Sequence, residues 1–183
     1  MDRITVRRAP TSELEPAEVE AIRAILWAAF EDDVDGAFTE SDWEHALGGT
    51  HVVAQDGDRI VGHASVVERA IHIGGRPVRA GYVEAVATLP GRQGEGIGTA
   101  LMREIGAILT GGYEIGVLGT GEHRFYERLG WRTWRGPSSV RTPDGDRRTP
   151  DEDGYIMVLP TAASPPLDPD APISCDWRPG DVW

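Results

Sequence analysis

The chain has 183 residues, and its 40% apolar and 26% charged content suits a single domain with a substantial core. Its 30 acidic and 18 basic residues give a formal net charge of −12, which repels nucleic acid and anionic membranes and attracts cations. One cysteine, Cys175, excludes an intrachain disulfide, the lack of lysine excludes a Walker A or Schiff-base lysine, and no apolar run approaches the ~20 residues of a membrane span.

Ile4–Arg8 alternates apolar and polar residues and predicts a short strand before a Pro10–Pro16 connection. A helix follows, with Val19, Ile22, Ile25, Leu26, Ala29 and Phe30 on one face and Pro16 in its first turn. An acidic break at Glu31–Asp35 comes next. Ser41-Asp42-Trp43-Glu44 reads as the capping box of a short second helix that Gly48-Gly49 ends. Three antiparallel strands are expected at His51–Gln55, Arg59–Ile73 and Val78–Thr88, turned by Asp56-Gly57 and Gly74-Gly75. Ile97, Leu101, Ile105 and Leu109 recur at helical spacing until Gly111-Gly112. Tyr113–Leu118 reads as a strand, Glu122–Leu129 as a short helix stopped by Gly130, and Trp131–Arg135 as another strand. A loop over about 136–154 precedes a last strand at Tyr155–Leu159, and a proline-rich tail follows. The order predicts an α/β (α+β) fold: one domain over 1–183, its core at about 4–160, with 161–183 as a tail. Met1–Arg8 has no apolar stretch after its charges, so no secretory leader is expected and the cytoplasm is the expected location.

Gln93-Gly94-Glu95-Gly96-Ile97-Gly98 lies between a strand and an amphipathic helix. Glycines there let the backbone approach a ligand closely, and unpaired N–H groups at the helix start converge where the dipole favours negative charge. On so acidic a protein a pyrophosphate needs such a donor cluster, with Arg92 beside it. A dinucleotide fingerprint would follow the first parallel strand, whereas this turn follows antiparallel hairpins in mid-chain. Taken alone, the turn leaves a plain tight turn as the alternative.

Gln93-x-x-Gly96-Ile97-Gly98-x-x-Leu101, together with Arg124-Phe125-Tyr126-Glu127-Arg128-Leu129-Gly130-Trp131, resembles the GNAT superfamily of N-acetyltransferases. The resemblance covers about 6–159. It implies a mixed, mostly antiparallel sheet with helices on both faces, and acetyl-CoA as the cosubstrate with no metal. It also implies that Glu84–Thr88 pairs with the pantetheine arm at a splay in the sheet. The cofactor-binding residues would then be Val86, Thr88, Arg92, Gln93, Gly94, Gly96 and Gly98.

An amine attacks a thioester only when neutral, so acyl transfer needs a base, an oxyanion donor and a partner for the leaving thiolate. Glu84, in mid-strand, could take the proton through water; the alternative is a solvent-facing strand glutamate, with Ala85 on the other face. Tyr126 resembles the superfamily's tyrosine near the coenzyme sulfur, the acid that would donate to the leaving thiolate, with core packing by an aromatic as the alternative; the Val86 N–H is the oxyanion donor by the same analogy. A covalent acyl-enzyme on Cys175 competes, but no histidine neighbours it in sequence, and direct transfer is favoured. The five histidines show no ligand spacing, and none is assigned a role.

The acids cluster at Asp32–Glu44, at Asp151-Glu152-Asp153 and at Asp181 beside the terminal carboxylate of Trp183. Phe38–His51, Gly81-Tyr82-Val83-Glu84-Ala85, Thr149–Gly154 and above all Cys175-Asp176-Trp177-Arg178-Pro179-Gly180-Asp181-Val182-Trp183 are similar to the aminoglycoside 2′-N-acetyltransferases. This narrower resemblance implies acetyl transfer to the 2′-amine of an aminoglycoside, with Asp42, Glu152, Asp181 and Trp183 holding the drug. The family usually has an aspartate where this chain has Ala37, for which Asp35 is the candidate replacement. It also tends to have a serine after Leu118, where this chain has Gly119-Thr120. Another cationic amine as acceptor, and a non-catalytic binding protein, are the competing readings. Oligomeric state is not legible, although superfamily members often dimerise, and a homodimer is among the expectations.

Overall fold

The computed structural model describes residues 4–31 and 36–183. Its elements in chain order are β1 (Thr5–Pro10), α1 (Pro16–Ala29), α2 (Glu40–His45), β2 (Thr50–Asp56), β3 (Arg59–Ile73), β4 (Arg76–Thr88) and α3 (Ile97–Gly112). Then come β5 (Ile115–Gly119), α4 (His123–Glu127), β6 (Arg132–Thr133), β7 (Ser138–Thr142), β8 (Gly145–Arg148), β9 (Ile156–Pro160) and β10 (Ile173–Asp176). The chain forms two compact units, Met1–Val67 with Val83–Ala107 and Glu68–Tyr82 with Ile108–Trp183; β3, β4 and α3 each contribute to both.

In the first unit β1 pairs antiparallel with β2, β2 with β3, and β3 neighbours β4. Helix α1 starts on Pro16 behind a reciprocal cap in which Glu15 and Glu18 bond each other's backbone N–H. Its Ile22, Ile25 and Leu26 meet Trp43 and Ala46, Val53 and Ile60 of the sheet, and Ala87 in one buried cluster. The cap of α2 is not the expected Ser41–Glu44 pair. Thr39 caps it, and Asp42 at the third helical position accepts from the Thr39 N–H at 2.8 Å and its hydroxyl at 2.7 Å. Gly62 has the core-facing role here: a Cβ on it would stand 2.8 Å from Ile97 Cγ2 and 3.0 Å from Leu101 Cδ1, so its bare backbone admits α3.

In the second unit the strand order is β6-β9-β5-β4-β3-β10-β7-β8. The β3–β10, β5–β9, β6–β9 and β7–β8 pairs are antiparallel, and the β4–β5 and β7–β10 pairs are parallel. The β4–β5 pairing runs from Ala80–Ile115 to Tyr82–Val117 and stops there, although β4 continues to Thr88. Two segments expected to lack strands carry them. The 136–154 stretch holds the β7–β8 hairpin, and the tail supplies β10, which inserts between β3 and β7. The hairpin was invisible to apolar alternation because Ser138–Thr142 and Gly145–Arg148 are mostly polar. Asp153 fixes the hairpin: it accepts from the Ser138 N–H and hydroxyl, each at 2.8 Å, and from Arg148 at 2.7 Å.

Candidate active site

The segment joining β4 to α3 holds the glycine-rich turn. Gly91, Gly94 and Gly96 have φ of +84°, +81° and +84°, and nothing stands within 4 Å of where a Cβ would be on any of them. The glycines thus serve the backbone path and leave it open on one side. The Ala100 N–H bonds the Gly96 carbonyl at 3.0 Å, so the N–H groups of Ile97, Gly98 and Thr99 precede the helical ladder. They stand at the positive end of a 16-residue helix, a donor set suited to phosphate oxygens. Gln93 is exposed in the same turn. Arg92 is beside it, but its guanidinium is shared, donating to Glu95 at 2.8 Å and to Asp56 at 2.9 Å. Those carboxylates raise the Arg92 pKa still further, and Arg92 in turn lowers that of Glu95.

Just upstream, β4 carries Glu84, Val86 and Thr88, all half-buried. Ala85 between them has φ of +51°, the one positive value at a non-glycine among the described residues. Left-handed backbone costs an L-residue about 1–2 kcal/mol, so β3 must hold it in place. The Ser65 hydroxyl donates to the Glu84 carbonyl at 3.4 Å and the His63 imidazole to the Ala85 carbonyl at 2.8 Å. The strict alternation that would put Glu84 and Ala85 on opposite faces is therefore broken where the chemistry was expected. Sequence reasoning missed this turn because alanine carries no signature for it. It also left His51 and His63 without a role, although both are fully buried.

In the second unit Tyr126 on α4 is 7% exposed, edge-on to Phe125 at 4.9 Å and to Trp131 at 6.1 Å between ring centroids. Burial, and then the negative charge of Glu122, raises its phenol pKa above the usual tyrosine value. The C-terminus folds back on this unit. The Trp183 indole N–H donates to Thr149 Oγ1 at 3.0 Å, and the Glu152 backbone N–H to the Thr149 carbonyl at 2.9 Å, so two of the expected acceptor-side residues bond Thr149. Asp181 Oδ1 accepts the Trp183 N–H at 3.1 Å. Arg69 donates to the Val182 carbonyl at 2.8 Å, and Arg178 to the Asp181 carbonyl at 2.7 Å. Both guanidiniums lie against the Tyr82 ring, at 4.6 and 5.5 Å from its centroid. No sequence signal linked Arg69 to this tail, 113 residues away.

Asp42 spends Oδ2 on the α2 cap. Asp35 lies outside the described residues. Cys175 is fully buried, donates to the Val182 carbonyl at 3.1 Å and is pushed by burial up to about 11, the state of a packing thiol rather than a nucleophile. Among the described residues no group of three or more His, Cys, Asp or Glu could hold a metal, and no helix is long and apolar enough to cross a membrane.

Residues 11–134 match the family model of the acetyltransferase (GNAT) domain. The chain is 40% identical to a curated aminoglycoside 2′-N-acetyltransferase of Mycolicibacterium fortuitum, over 98% of this chain and 92% of that one. Among solved structures, a GNAT family acetyltransferase from Brucella melitensis in complex with acetyl-CoA is similar in fold, with a TM-score of 0.62, 24% identity and coverage of 91% of this chain and 94% of that one. The GNAT family N-acetyltransferase YhbS from Escherichia coli, in complex with CoA, gives a TM-score of 0.63 at 17% identity, covering 96% and 91%.

Proposed function

The chain belongs to the GNAT acetyltransferase family, and we propose that it transfers the acetyl group of acetyl-CoA to the 2′-amine of an aminoglycoside. The observation that carries the acceptor is the likeness to the Mycolicibacterium fortuitum enzyme, which runs over 98% of the chain. A net charge of −12 suits a polycationic substrate, and Glu152, Asp181 and Trp183 are its proposed partners. Asp42 has the weaker claim, since its carboxylate already caps α2.

The backbone N–H groups of Ile97, Gly98 and Thr99 bind the pyrophosphate in this reading, helped by Arg92, Gln93 and the open turn of Gly94 and Gly96. The backbone of Val86 and Thr88 lines the pantetheine arm. The neutral 2′-amine attacks the thioester carbonyl, its proton passing through water to Glu84, while the Val86 N–H donates a hydrogen bond to the oxygen on which negative charge develops. The C–S bond then breaks and the coenzyme leaves as a thiolate. A phenol raised above its ordinary pKa of ~10 does not surrender its proton to a thiolate whose acid has pKa ~8.5. Tyr126 therefore serves as a hydrogen-bond donor to the sulfur, and solvent supplies the final proton. Transfer is direct, in keeping with the buried Cys175 thiol. Acetyl-CoA is an intracellular metabolite, which puts the reaction in the cytoplasm.

The test is thiol release from acetyl-CoA across a panel of aminoglycosides, with mass and NMR identification of the product. Acetylation at the 2′ nitrogen is expected. Turnover with polyamines or amino sugars but with no 2′-amino drug would replace this acceptor with another cationic amine.

A further inference from the structure

The left-handed residue in β4 is held by a chain of hydrogen bonds that begins 74 positions earlier in sequence, at Thr11, and ends on the Ala85 carbonyl. The Gly48 N–H donates to Thr11 Oγ1 at 2.9 Å. Thr11 Oγ1 is 2.8 Å from His51 Nε2, His51 Nδ1 is 2.8 Å from His63 Nε2, and His63 Nδ1 is 2.8 Å from the Ala85 carbonyl. The two imidazoles come from neighbouring strands: His51 lies opposite Ser65 and Val53 opposite His63, which makes the histidines diagonal partners within side-chain reach. Trp43 of α2 stands over both, its ring 6.1 Å from His51 and 6.3 Å from His63.

The last acceptor fixes the direction of the whole chain. A carbonyl only accepts, so His63 Nδ1 carries its proton. In a neutral ring Nε2 is then an acceptor for the hydrogen bond from His51 Nδ1–H; His51 Nε2 in turn accepts from the Thr11 hydroxyl. Burial depresses both imidazoles far below the usual histidine value, in keeping with two neutral rings. A chain that ends on a carbonyl moves no proton. Its chemistry is that of an anchor, and its anchor point is the residue between Glu84 and Val86.

We propose that His63, with its tautomer set by His51 and Thr11, is a positioning residue for acetyl transfer: its bond to the Ala85 carbonyl holds the left-handed turn that aims the Glu84 side chain and the Val86 N–H. The inference rests on the reading of β4 as the strand that carries those two groups. Without the bond Ala85 relaxes toward extended backbone, and the N–H after it turns away. A displaced donor of this kind costs about ten- to a hundredfold in rate with little change in ground-state binding.

The experiment is steady-state kinetics on His63→Leu, His63→Asn and the double variant His63→Leu/Ala85→Gly, with each variant's fold checked by thermal unfolding. His63→Leu is expected to lose at least about tenfold in kcat while KM for the aminoglycoside moves less than about threefold. Adding Ala85→Gly, which makes the left-handed turn free of strain, recovers several-fold of that loss. His63→Asn keeps an N–H near the Nδ1 position and retains kcat within about threefold of the unaltered enzyme. An unchanged kcat in His63→Leu, or a loss that Ala85→Gly leaves untouched, overturns the proposal. Should His63→Leu not fold, a loss above about tenfold in His63→Asn overturns it instead. The imidazole nitrogen shifts of the unaltered protein at pH 7 test the anchor without turnover: an Nε2–H tautomer on His63 refutes it even if no aminoglycoside is acetylated.

Discussion

Replacing Gly62 by alanine puts a methyl group where the structure has no room for one. The added Cβ would meet Ile97 Cγ2 at 2.8 Å, Leu101 Cδ1 at 3.0 Å and the Ala87 carbonyl oxygen at 3.2 Å. Ile97 and Leu101 are 2% and 0% exposed, so neither has a void to move into. The Ile97 methyl sits directly on a β-branched carbon with one favoured helical rotamer, so the helix itself must shift. Overpacking of this degree costs about 1–3 kcal/mol. In a chain of this size it lowers Tm by about 2–12 °C. The strain arrives at the first residue of α3, next to the Gly96 turn, so KM for acetyl-CoA should rise several-fold more than kcat falls. Gly106→Ala on the same helix is the matched control: nothing lies within 4 Å of its added Cβ, and a helical glycine replaced by alanine gains about 0.5–1 kcal/mol. Calorimetry or dye-monitored melting of the two variants, with acetyl-CoA saturation curves, reads the difference. If both substitutions shift Tm in the same direction, the packing argument at Gly62 is wrong.

Burial depresses His51 to about 4 and His63 to about 3, so the folded chain excludes protons that the unfolded chain binds below its ordinary histidine pKa of ~6.5. Stability is therefore complete above pH 6.5 and falls as pH drops toward 4, by up to about 2.7 kcal/mol per pH unit; urea midpoints that stay flat from pH 7 to 5 refute this. Glu95→Gln releases one of the two carboxylates on Arg92 and removes a charge beside the anion-binding turn. KM for acetyl-CoA should fall a few-fold, most at low ionic strength, and a rise would show that Glu95 instead braces the loop. Deleting Asp181–Trp183 removes the proposed acceptor partners, so KM for the aminoglycoside should rise far more than that for acetyl-CoA; equal effects on both would make the tail structural. The same deletion takes away a tryptophan 4% exposed, and melting temperature falls with it.

What was legible in the sequence divides along physical lines. The glycine turn could be read because positive φ at Gly91, Gly94 and Gly96 demands glycine, and α3 because Ile97, Leu101, Ile105 and Leu109 repeat at helical period. The hairpin strands β2, β3 and β4 were legible from β-branched runs between turn residues. The α2 cap was misread by two residues because aspartate, not glutamate, closes it at Asp42. Strands β7 and β8 escaped because their residues are mostly polar, and β10 because it is only four residues long in a proline-rich tail. Tertiary facts left no local mark: the turn at Ala85, the diagonal pairing of His51 with His63, and the reach of Arg69 to Val182 exist only once distant strands are side by side.

The state of Cys175 has a practical consequence at the bench. It is the chain's one thiol, buried to 0% exposure with its proton held up to about 11, and the sequence has no lysine side chain to compete as a nucleophile. A thiol-reactive chromophore can therefore stay in the cuvette throughout turnover, because the native protein offers it no thiolate. Every molecule of colour then counts one coenzyme released, and a slow rise without substrate would report unfolding rather than chemistry.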